Sequence, residues 1–335
     1  MRIALDAMGG DKAPGEIIAG ALKALEQIEN DQLVLVGDES AIHKHLGKQK
    51  YRQSQLSIVH APEVVAMDDP PVEAVRRKRK SSIAIMVKMA AAGEVDALIS
   101  AGNTGACVAA SQLRMRLLPG VQRPGILVVF PTFAGPVAVC DVGANIAPKP
   151  SHLYQYALMS AIYMREVRKL KSPTVGLISI GQENAKGNEL VKAVNQLLWD
   201  DKRIDFVGNV EPRDFFNHPA DILVCDGFVG NVILKLTEGL AESLFQTIGR
   251  EIARQKPDIA DHFLPVVDGL YAKHDYSEYG GAPLLGVDGT CIICHGSSDA
   301  RAITNAILTV RKQLKFDINH KISEQLQPHP VGENG

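Results

Sequence analysis

The sequence lacks the features that mark several classes of protein. Lysine and arginine do not exceed aspartate and glutamate in its 335 residues, and only 5% of the residues are aromatic. Neither the basic surface nor the stacking side chains of a nucleic-acid-binding protein are therefore expected. No run of about 18 uncharged apolar residues predicts a membrane-spanning helix, and Asp6 interrupts the apolar start that a signal peptide would continue. The five cysteines, an odd number lying mostly in apolar runs, favour a reducing cytoplasm over a disulfide framework.

Familiar catalytic and cofactor motifs are also missing. The chain contains no nucleophile elbow G-x-S-x-G and no phosphate-binding loop G-x-x-x-x-G-K-[ST]. The turn after the first predicted strand reads Gly9-Gly10-Asp11 and not the dinucleotide-binding G-x-G-x-x-G. Cys291-Ile-Ile-Cys294-His295 matches a haem-attachment pattern, but such attachment belongs to exported chains and this run is typical of a strand. We therefore expect neither a cofactor nor a metal.

What the chain does contain is a regular alternation of strand and helix patterns. Its hydrophobic content of 46% and charged content of 22% are typical of a soluble globular protein. The patterns predict strands at 2–6, 32–37, 55–60, 96–100, 125–132, 137–141, 174–180, 204–207, 221–226 and 290–294. They predict helices at 15–28, 40–46, 71–92, 104–115, 151–170, 188–199 and 299–325, and a long helical section at about 230–272 with a break near Pro257.

This alternation predicts an α/β fold with a mainly parallel sheet that helices cover on both faces. The strands at 125–132 and 137–141 predict one antiparallel hairpin. We expect a single catalytic domain over residues 1–326, and a disordered polar tail at 327–335.

The stretch 96–107 is the clearest candidate for a binding site. A short apolar strand leads into Ser100-Ala-Gly102-Asn103-Thr104-Gly105, and a helix pattern follows at once. Free backbone N–H groups and the helix dipole converge on an anion in this geometry. Gly102 and Gly105 permit close backbone approach, and Asn103 and Thr104 offer side-chain donors, so the stretch predicts binding of a phosphate-bearing reactant.

Polar residues follow five other predicted strands as well. Ligands bind at the carboxyl ends of the strands in an open parallel sheet, so these loops together predict one extended cleft. For any single loop the alternative is a helix cap or a turn, because Asp, Asn, Ser and Gly are the usual residues there. The six loops are 6–11, 100–105, 141–145, 181–188, 226–231 and 295–299.

The predicted cleft offers Asn, Thr, Lys and His side chains together with backbone N–H groups, but no obvious nucleophile. This set favours direct attack by one bound reactant on another. Positioning and charge stabilisation would then supply most of the catalysis.

Taken together, the ordered motifs resemble the PlsX family of bacterial phosphate acyltransferases, over nearly the whole chain to about residue 312. The motifs are Asp6-Ala-Met-Gly-Gly-Asp11, Met67-Asp-Asp-Pro70, Ser100-Ala-Gly-Asn-Thr-Gly105, Asp141-Val-Gly-Ala-Asn145, Gly181-x-Glu183-x-x-Lys186-Gly187, Asp226-Gly-Phe-x-Gly-Asn231, Glu278-Tyr-Gly-Gly-Ala-Pro-Leu-Leu-Gly286 and His295-Gly-x-Ser298.

The resemblance implies a three-layer α/β/α sandwich similar to phosphotransacetylase and to isocitrate and isopropylmalate dehydrogenases. It implies that the enzyme makes acyl-phosphate from acyl-(acyl carrier protein) and inorganic phosphate, as the first step of phospholipid acylation. It also implies a cytoplasmic homodimer that associates peripherally with the inner face of the cell membrane. The acyl-phosphate would pass to a membrane glycerol-3-phosphate acyltransferase.

The mechanism that this resemblance suggests assigns a role to each polar loop. Phosphate is held by Asn103, Thr104 and local amides, with Lys186 as the cationic partner. Asn231, Asn145 or backbone N–H groups steady the developing oxyanion, and His295 could protonate the leaving thiolate. The carboxylates Asp6, Asp11 and Asp226 are expected to orient loops or the lysine.

Two stretches concern partners. The basic run 76–80 lies inside a predicted helix and could attract an acidic carrier protein, or could simply be a solvated helix face. The helical section carries an amphipathic stripe, for which we expect dimerisation in the first half and membrane contact at 257–270.

Three other classes stay open at this point. They are a phosphotransacetylase-like enzyme that uses coenzyme A, a dehydrogenase of the isopropylmalate type, and a non-catalytic scaffold at the membrane. The dehydrogenase would need a dinucleotide site and a carboxylate cluster for a metal, and neither is clear in the sequence.

Overall fold

The computed structural model of the protein describes residues 1–47, 49–132, 134–273 and 279–326, so the predicted tail at 327–335 lies outside the described residues. The strands are β1 (Arg2–Asp6), β2 (Gln32–Gly37), β3 (Leu56–His60), β4 (Ala97–Ser100), β5 (Gly125–Thr132), β6 (Gly135–Cys140), β7 (Thr174–Ile178), β8 (Asp205–Val210), β9 (Ile222–Val224), β10 (Ala282–Leu285) and β11 (Thr290–Ile293). The helices are α1 (Gly15–Leu25), α2 (Glu39–Leu46), α3 (Pro71–Arg77), α4 (Ser82–Ala91), α5 (Thr104–Arg114), α6 (Pro150–Val167), α7 (Glu189–Asp200), α8 (Gly227–Gln255), α9 (Pro257–Lys273), α10 (Ala300–Lys315) and α11 (Ile318–Leu326).

The strands form one sheet in the order β3-β2-β1-β4-β11-β10-β5-β6-β9-β7-β8. Strands β3, β2, β1, β4 and β11 are parallel to one another, and so are β6, β9, β7 and β8. Between the two sets, β10 is antiparallel to both β11 and β5, and β5 is antiparallel to β6 in the predicted hairpin. The two parallel sets therefore run in opposite directions, and their carboxyl ends lie at opposite edges of the sheet.

Helices cover both faces of the sheet, so the fold is a three-layer α/β/α sandwich. On one face, α3, α4, α5 and the start of α8 pack over a single apolar core. On the other face, α1, α2 and α10 cover the half around β1, and α6, α7 and α11 cover the half around β9. Alternate residues of each strand, such as Val128 and Val129 in β5, enter opposite cores because side chains alternate across a strand.

Two predicted helices are interrupted. The helix predicted at 71–92 ends at Arg77 and restarts at Ser82, because the Ser81 side chain caps α4 by accepting a hydrogen bond from the Ala84 N–H. The helix predicted at 299–325 breaks at Asp317, whose φ of 49° is left-handed and ends the helical path.

The long helical section forms two helices, with the break beside Pro257 as predicted. Only the first two turns of α8 are buried against the sheet, at Gly227, Gly230 and Leu234. The rest of α8 packs against α9. Among the described residues, no helix is both long enough and apolar enough to cross a membrane.

Candidate functional site

The loops after β1 and β4 are tied together by a buried carboxylate. Asp6 is buried, and its Oδ2 accepts a hydrogen bond from the Ser100 hydroxyl at 2.7 Å. Burial raises the pKa of Asp6, although hydrogen bonds from neighbouring groups partly oppose this rise. Gly9 lies so close to the second loop that a Cβ on it would approach the Gly102 nitrogen to 2.6 Å. Asp6 and Gly102 thus fix the geometry of the turn that starts α5.

The amide of Asn103 is occupied by the protein itself. Its Oδ1 accepts from the Ala106 N–H at 2.9 Å and so caps α5. Its Nδ2 donates to the carbonyls of Ala66, Met67 and Asp69, each at 3.1 Å. Direct binding of phosphate by this side chain would break one of these bonds. Asn103 therefore holds the 66–69 loop against the N-terminus of α5.

A third loop at the same edge carries His295, which follows β11. Its Nε2 lies 2.7 Å from the Nζ of Lys235, and its Nδ1 lies 2.7 Å from the Ser297 hydroxyl. Lys235 also donates to Glu238 at 3.0 Å. Because α8 crosses the face of the sheet, it delivers Lys235 to the edge at which β1, β4 and β11 end. Lys235 is not among the residues predicted from the sequence, although it is the only charged residue within the apolar run 232–236.

At the opposite edge, Asp141 follows β6 and organises the next loop. It is fully buried, and its carboxylate accepts from the backbone N–H groups of Ile126, Ala144 and Asn145 at 3.0, 3.0 and 2.7 Å. Burial raises the pKa of Asp141 despite these hydrogen bonds. The side chain of Asn145 donates to the Tyr156 hydroxyl at 2.8 Å. Hydrogen bonds to the buried Asp141 and Tyr156 thus hold the loop at 143–147 in place.

The other three predicted residues at this edge differ in exposure and contacts. Asp226 caps α8 by accepting from the Val229 N–H at 2.9 Å. Asn231 is exposed on the next turn, and a Cβ on Gly143 would come within 3.8 Å of it. Lys186 is exposed in the loop after β7.

The predicted single cleft is wrong in one respect, because the six polar loops lie at two edges of the sheet. Asp6, the turn at 102–105 and His295 lie at one edge, and Asn145, Asp226 and Lys186 lie at the other. Six strand spacings separate β4 from β7, which amounts to about 29 Å. Within one chain, Lys186 is therefore remote from the turn that starts α5.

One cavity of about 390 Å³ connects residues of the two groups. Gly105, at the start of α5, lines it together with Asn145 from the opposite edge, and three basic side chains complete it: Arg123, Lys149 and His152. No carboxylate lines this cavity. Burial, and then the charges of Arg123 and Lys149, lower the pKa of His152, so its imidazole is neutral at pH 7. The cavity is built to accept an anionic or polar ligand.

The cysteines offer no nucleophile to this site. All five are free and buried. Burial raises the pKa of Cys294 to about 12, and burial also raises the pKa values of Cys140 and Cys225. A thiol that stays protonated and buried reacts poorly. Within the described ranges, no group of three or more His, Cys, Asp or Glu side chains could hold a metal ion.

Known structures share this fold. A phosphotransacetylase from Streptococcus pyogenes superposes with a TM-score of 0.59 at 16% identity, covering 94% of each chain. The phosphotransacetylase EutD from Staphylococcus aureus superposes with a TM-score of 0.58 at 15% identity, covering 93% of this chain and 94% of that one. At these identities the similarity concerns the fold alone.

Sequence comparison identifies the family of the chain. The model of the protein family described as "Fatty acid synthesis protein" matches residues 1–321. A phosphate acyltransferase of Dictyoglomus turgidum is 45% identical over 97% of this chain and 98% of its own length. The phosphate acyltransferase of Brevibacillus brevis is 45% identical over the full length of both chains. The chain therefore belongs to the PlsX family of phosphate acyltransferases, and it is an acyltransferase enzyme.

Proposed function

We propose that this enzyme transfers the acyl group of acyl-(acyl carrier protein) to inorganic phosphate and so makes acyl-phosphate for phospholipid synthesis. The observation that carries the proposal is the match to phosphate acyltransferases over the whole chain. The carboxylate-free cavity and the lack of a reactive thiol are consistent with it.

In the proposed reaction, phosphate binds at the N-terminus of α5. The amides of the first turn, the hydroxyl of Thr104 and the helix dipole would hold it, and Gly102 and Gly105 would let it approach the backbone. Asn103 would act indirectly, by fixing the 66–69 loop beside this turn. Lys235, at the same edge, is a cation that could balance the charge of phosphate.

A phosphate oxygen attacks the thioester carbonyl carbon, a new C–O bond forms, and the C–S bond then breaks. Asn231 and backbone N–H groups would stabilise the tetrahedral oxyanion. Asn145, whose amide already donates to the Pro124 carbonyl and the Tyr156 hydroxyl, would act indirectly by fixing the 143–147 loop. The pantetheine thiolate leaves with the bonding electron pair, and His295 would supply its proton. Asp6 and Asp226 would position the loops that carry these groups.

Lys186 needs a second chain to take part at the turn that starts α5, because β7 and β4, the strands that precede the two groups, are six strand spacings (about 29 Å) apart in the sheet of its own chain. We assign its phosphate-binding role to a homodimer in which one chain's Lys186 reaches the other's phosphate turn. Replacing Lys186 by alanine should then raise the KM for phosphate. A variant with normal KM and kcat would remove Lys186 from the mechanism.

Docking of the carrier protein would use the basic run 76–80. This run spans the break between α3 and α4, where Arg76, Arg77, Arg79 and Lys80 are exposed. Lys78 is already paired with Asp69. An exposed basic surface accelerates encounter with an acidic partner, and salt weakens that effect. Kinetics that did not change with salt would argue against docking here.

The exposed surfaces of α8 and α9 would form the homodimer interface and the membrane contact. We assign the α8 surface to the homodimer and Phe263, Val266 and Leu270 of α9 to peripheral contact with the cytoplasmic face of the membrane. There the product would pass to a membrane glycerol-3-phosphate acyltransferase. Flotation with liposomes tests this contact, since Phe263→Glu should reduce binding while leaving the dimer intact.

Mass-spectrometric detection of acyl-phosphate tests the reaction itself. Acyl-carrier protein with phosphate should give acyl-phosphate and free carrier thiol in equal amounts. A phosphotransacetylase-like enzyme using acyl-coenzyme A is the alternative, favoured by the fold alone. Faster acyl-phosphate formation from acyl-coenzyme A than from the carrier would replace the proposal by this alternative.

A further inference from the structure

The cavity has a basic end that the proposed reaction does not use. This end is formed by the N-terminus of α6, an 18-residue helix that begins at Pro150, where the His152 side chain accepts from the Lys149 backbone N–H. The start of such a helix carries partial positive charge. Arg123 and Lys149 lie beside it, and neither is ion-paired within the described ranges. No carboxylate lines the cavity, so the charged side chains exposed at this end are basic.

His152 gives an independent indication of a ligand at the same end. It lies in the first turn of α6, is only 8% exposed and lines the cavity. Its Nδ1 accepts from the Lys149 backbone N–H at 3.1 Å, so the neutral ring carries its proton on Nε2. In the part of the chain that the structure describes, this Nε2–H has no acceptor. Because this nitrogen is accessible from the cavity, its N–H is free to donate to an anion bound there.

The position of this end within the cavity indicates which anion it would take. The cavity wall runs along α5 from Gly105, next to the proposed phosphate turn, to Gln112, a rise of about 10 Å. Between them, Val108 and Ala109 give the wall an apolar stretch. A flexible arm with a thioester at one end and a phosphodiester at the other fits this cavity: the thioester would lie at the Gly105 end, the arm along the apolar stretch, and the phosphodiester at the basic end. The attacking phosphate has its own place at the Gly105 end.

On the basis of the proposed function, we infer that Arg123, Lys149, His152 and the N-terminus of α6 bind the phosphodiester of the carrier's phosphopantetheine arm. The arm then lies along α5, and its thioester reaches the turn that starts this helix.

Two thioesters that differ only in the phosphate test this inference. With acyl-4′-phosphopantetheine, the double variant Arg123→Gln, Lys149→Gln should raise the thioester KM about tenfold with little change in kcat, because two charge-assisted contacts are lost. With acyl-pantetheine, which lacks the phosphate, its KM should stay near that of the unmodified enzyme. The KM for inorganic phosphate should not change, and Lys44→Gln, a charge removed from the distant α2, should alter none of these values.

Three results would overturn the inference. Equal effects on both thioesters would indicate a structural role for the two side chains, and a raised KM for inorganic phosphate would make this end the site of the attacking reactant. Unchanged kinetics with every substrate would exclude any binding role. If the unmodified enzyme made acyl-phosphate from neither these thioesters nor acyl-carrier protein, the proposed function would fail, and if it used acyl-carrier protein alone, that function would stand. In either case, calorimetry of 4′-phosphopantetheine against pantetheine would test the binding site. Tighter binding of the phosphorylated arm, lost in the double variant, is the expected result there.

Discussion

Single buried side chains set the conformation of the candidate site. Asp6 ends β1 and accepts hydrogen bonds from the Met8 N–H in its own loop and from the Ser100 hydroxyl on β4. Asp141 follows β6 and accepts from the N–H groups of the loop that it precedes. The sequence predicts polar residues at these strand ends, but it does not predict how they are used. Asn103 was expected to contact phosphate, yet its amide binds carbonyls more than 30 residues away in the chain. Local patterns cannot reveal such distant partners.

Asp141→Asn should destabilise the protein and weaken its activity. The new NH₂ group would face backbone N–H donors where the carboxylate now accepts, which leaves buried donors without acceptors. We expect the free energy of unfolding to fall by about 2–4 kcal/mol and kcat/KM to fall with it. Urea denaturation measures the first effect, with the exposed Asp68→Asn as the control. An unchanged midpoint would show that the carboxylate does not hold the loop.

The buried carboxyl group of Asp6 should make the protein less stable as pH rises. Its folded pKa is raised above the ordinary 3.8 by burial, so between these two values the folded state binds more protons than the unfolded state. Its contribution is therefore present below pH 3.8 and is lost as pH rises through the folded pKa. The loss is about 1.4 kcal/mol for each unit of the shift. Denaturation across this range should show Asp6→Asn gaining stability relative to the unmodified protein as pH rises, and parallel curves would contradict this.

At the scale of secondary structure, the hydrophobic pattern predicted ten of the strands of the described sheet but not β10. This strand has four residues and follows Gly280 and Gly281, so it has little strand signal of its own. Because β10 is antiparallel to both β11 and β5, β5 runs in the direction of β11, and the antiparallel pairing of β5 with β6 then reverses the second parallel set. The predicted single cleft failed for this reason. Pairing between distant strands, and not any local pattern, determines at which edge each loop lies.

Alanine substitutions at two glycines of α8 should have opposite effects on stability, because one glycine is tightly packed and the other is not. A Cβ on Gly230 would lie 1.9 Å from the Asp141 carbonyl oxygen, whereas a Cβ on Gly239 would meet nothing within 4 Å. Gly230→Ala should therefore push α8 off the 141–143 loop and lower the free energy of unfolding by more than about 2 kcal/mol. Gly239→Ala should raise it by up to about 1 kcal/mol, since alanine favours the helix. Thermal denaturation of both variants measures the difference, and equal effects would refute this account of α8 packing.

At the scale of the whole molecule, α8 exposes a long apolar surface. Its members recur every four residues, so they follow one ridge along the helix: Phe228, Val232, Leu236, Leu240, Leu244 and Ile248. An exposed apolar surface of this length is typical of a protein interface. The amphipathic sequence of this half of the helical section predicts dimerisation through it, and this stays a prediction.

Leu240→Glu should convert the expected dimer to a monomer. Leu240 is 59% exposed on the ridge, and a charge there would be buried without a partner on assembly. Leu113→Glu is the matched control, because Leu113 is equally exposed but lies on α5. Analytical ultracentrifugation should show a smaller species for Leu240→Glu alone. A dimer that survived this change would place the interface elsewhere.

In the proposed reaction, phosphate attacks the thioester directly, without an acyl-enzyme intermediate. The most direct measurement is exchange of isotope-labelled carrier protein into unlabelled acyl-carrier protein in the absence of phosphate. An acyl-enzyme would catalyse this exchange, since the free carrier thiol could take the acyl group back. The account predicts no exchange without phosphate, from a preparation that forms acyl-phosphate as soon as phosphate is added. Exchange in the absence of phosphate would contradict direct attack and would require a nucleophile on the protein.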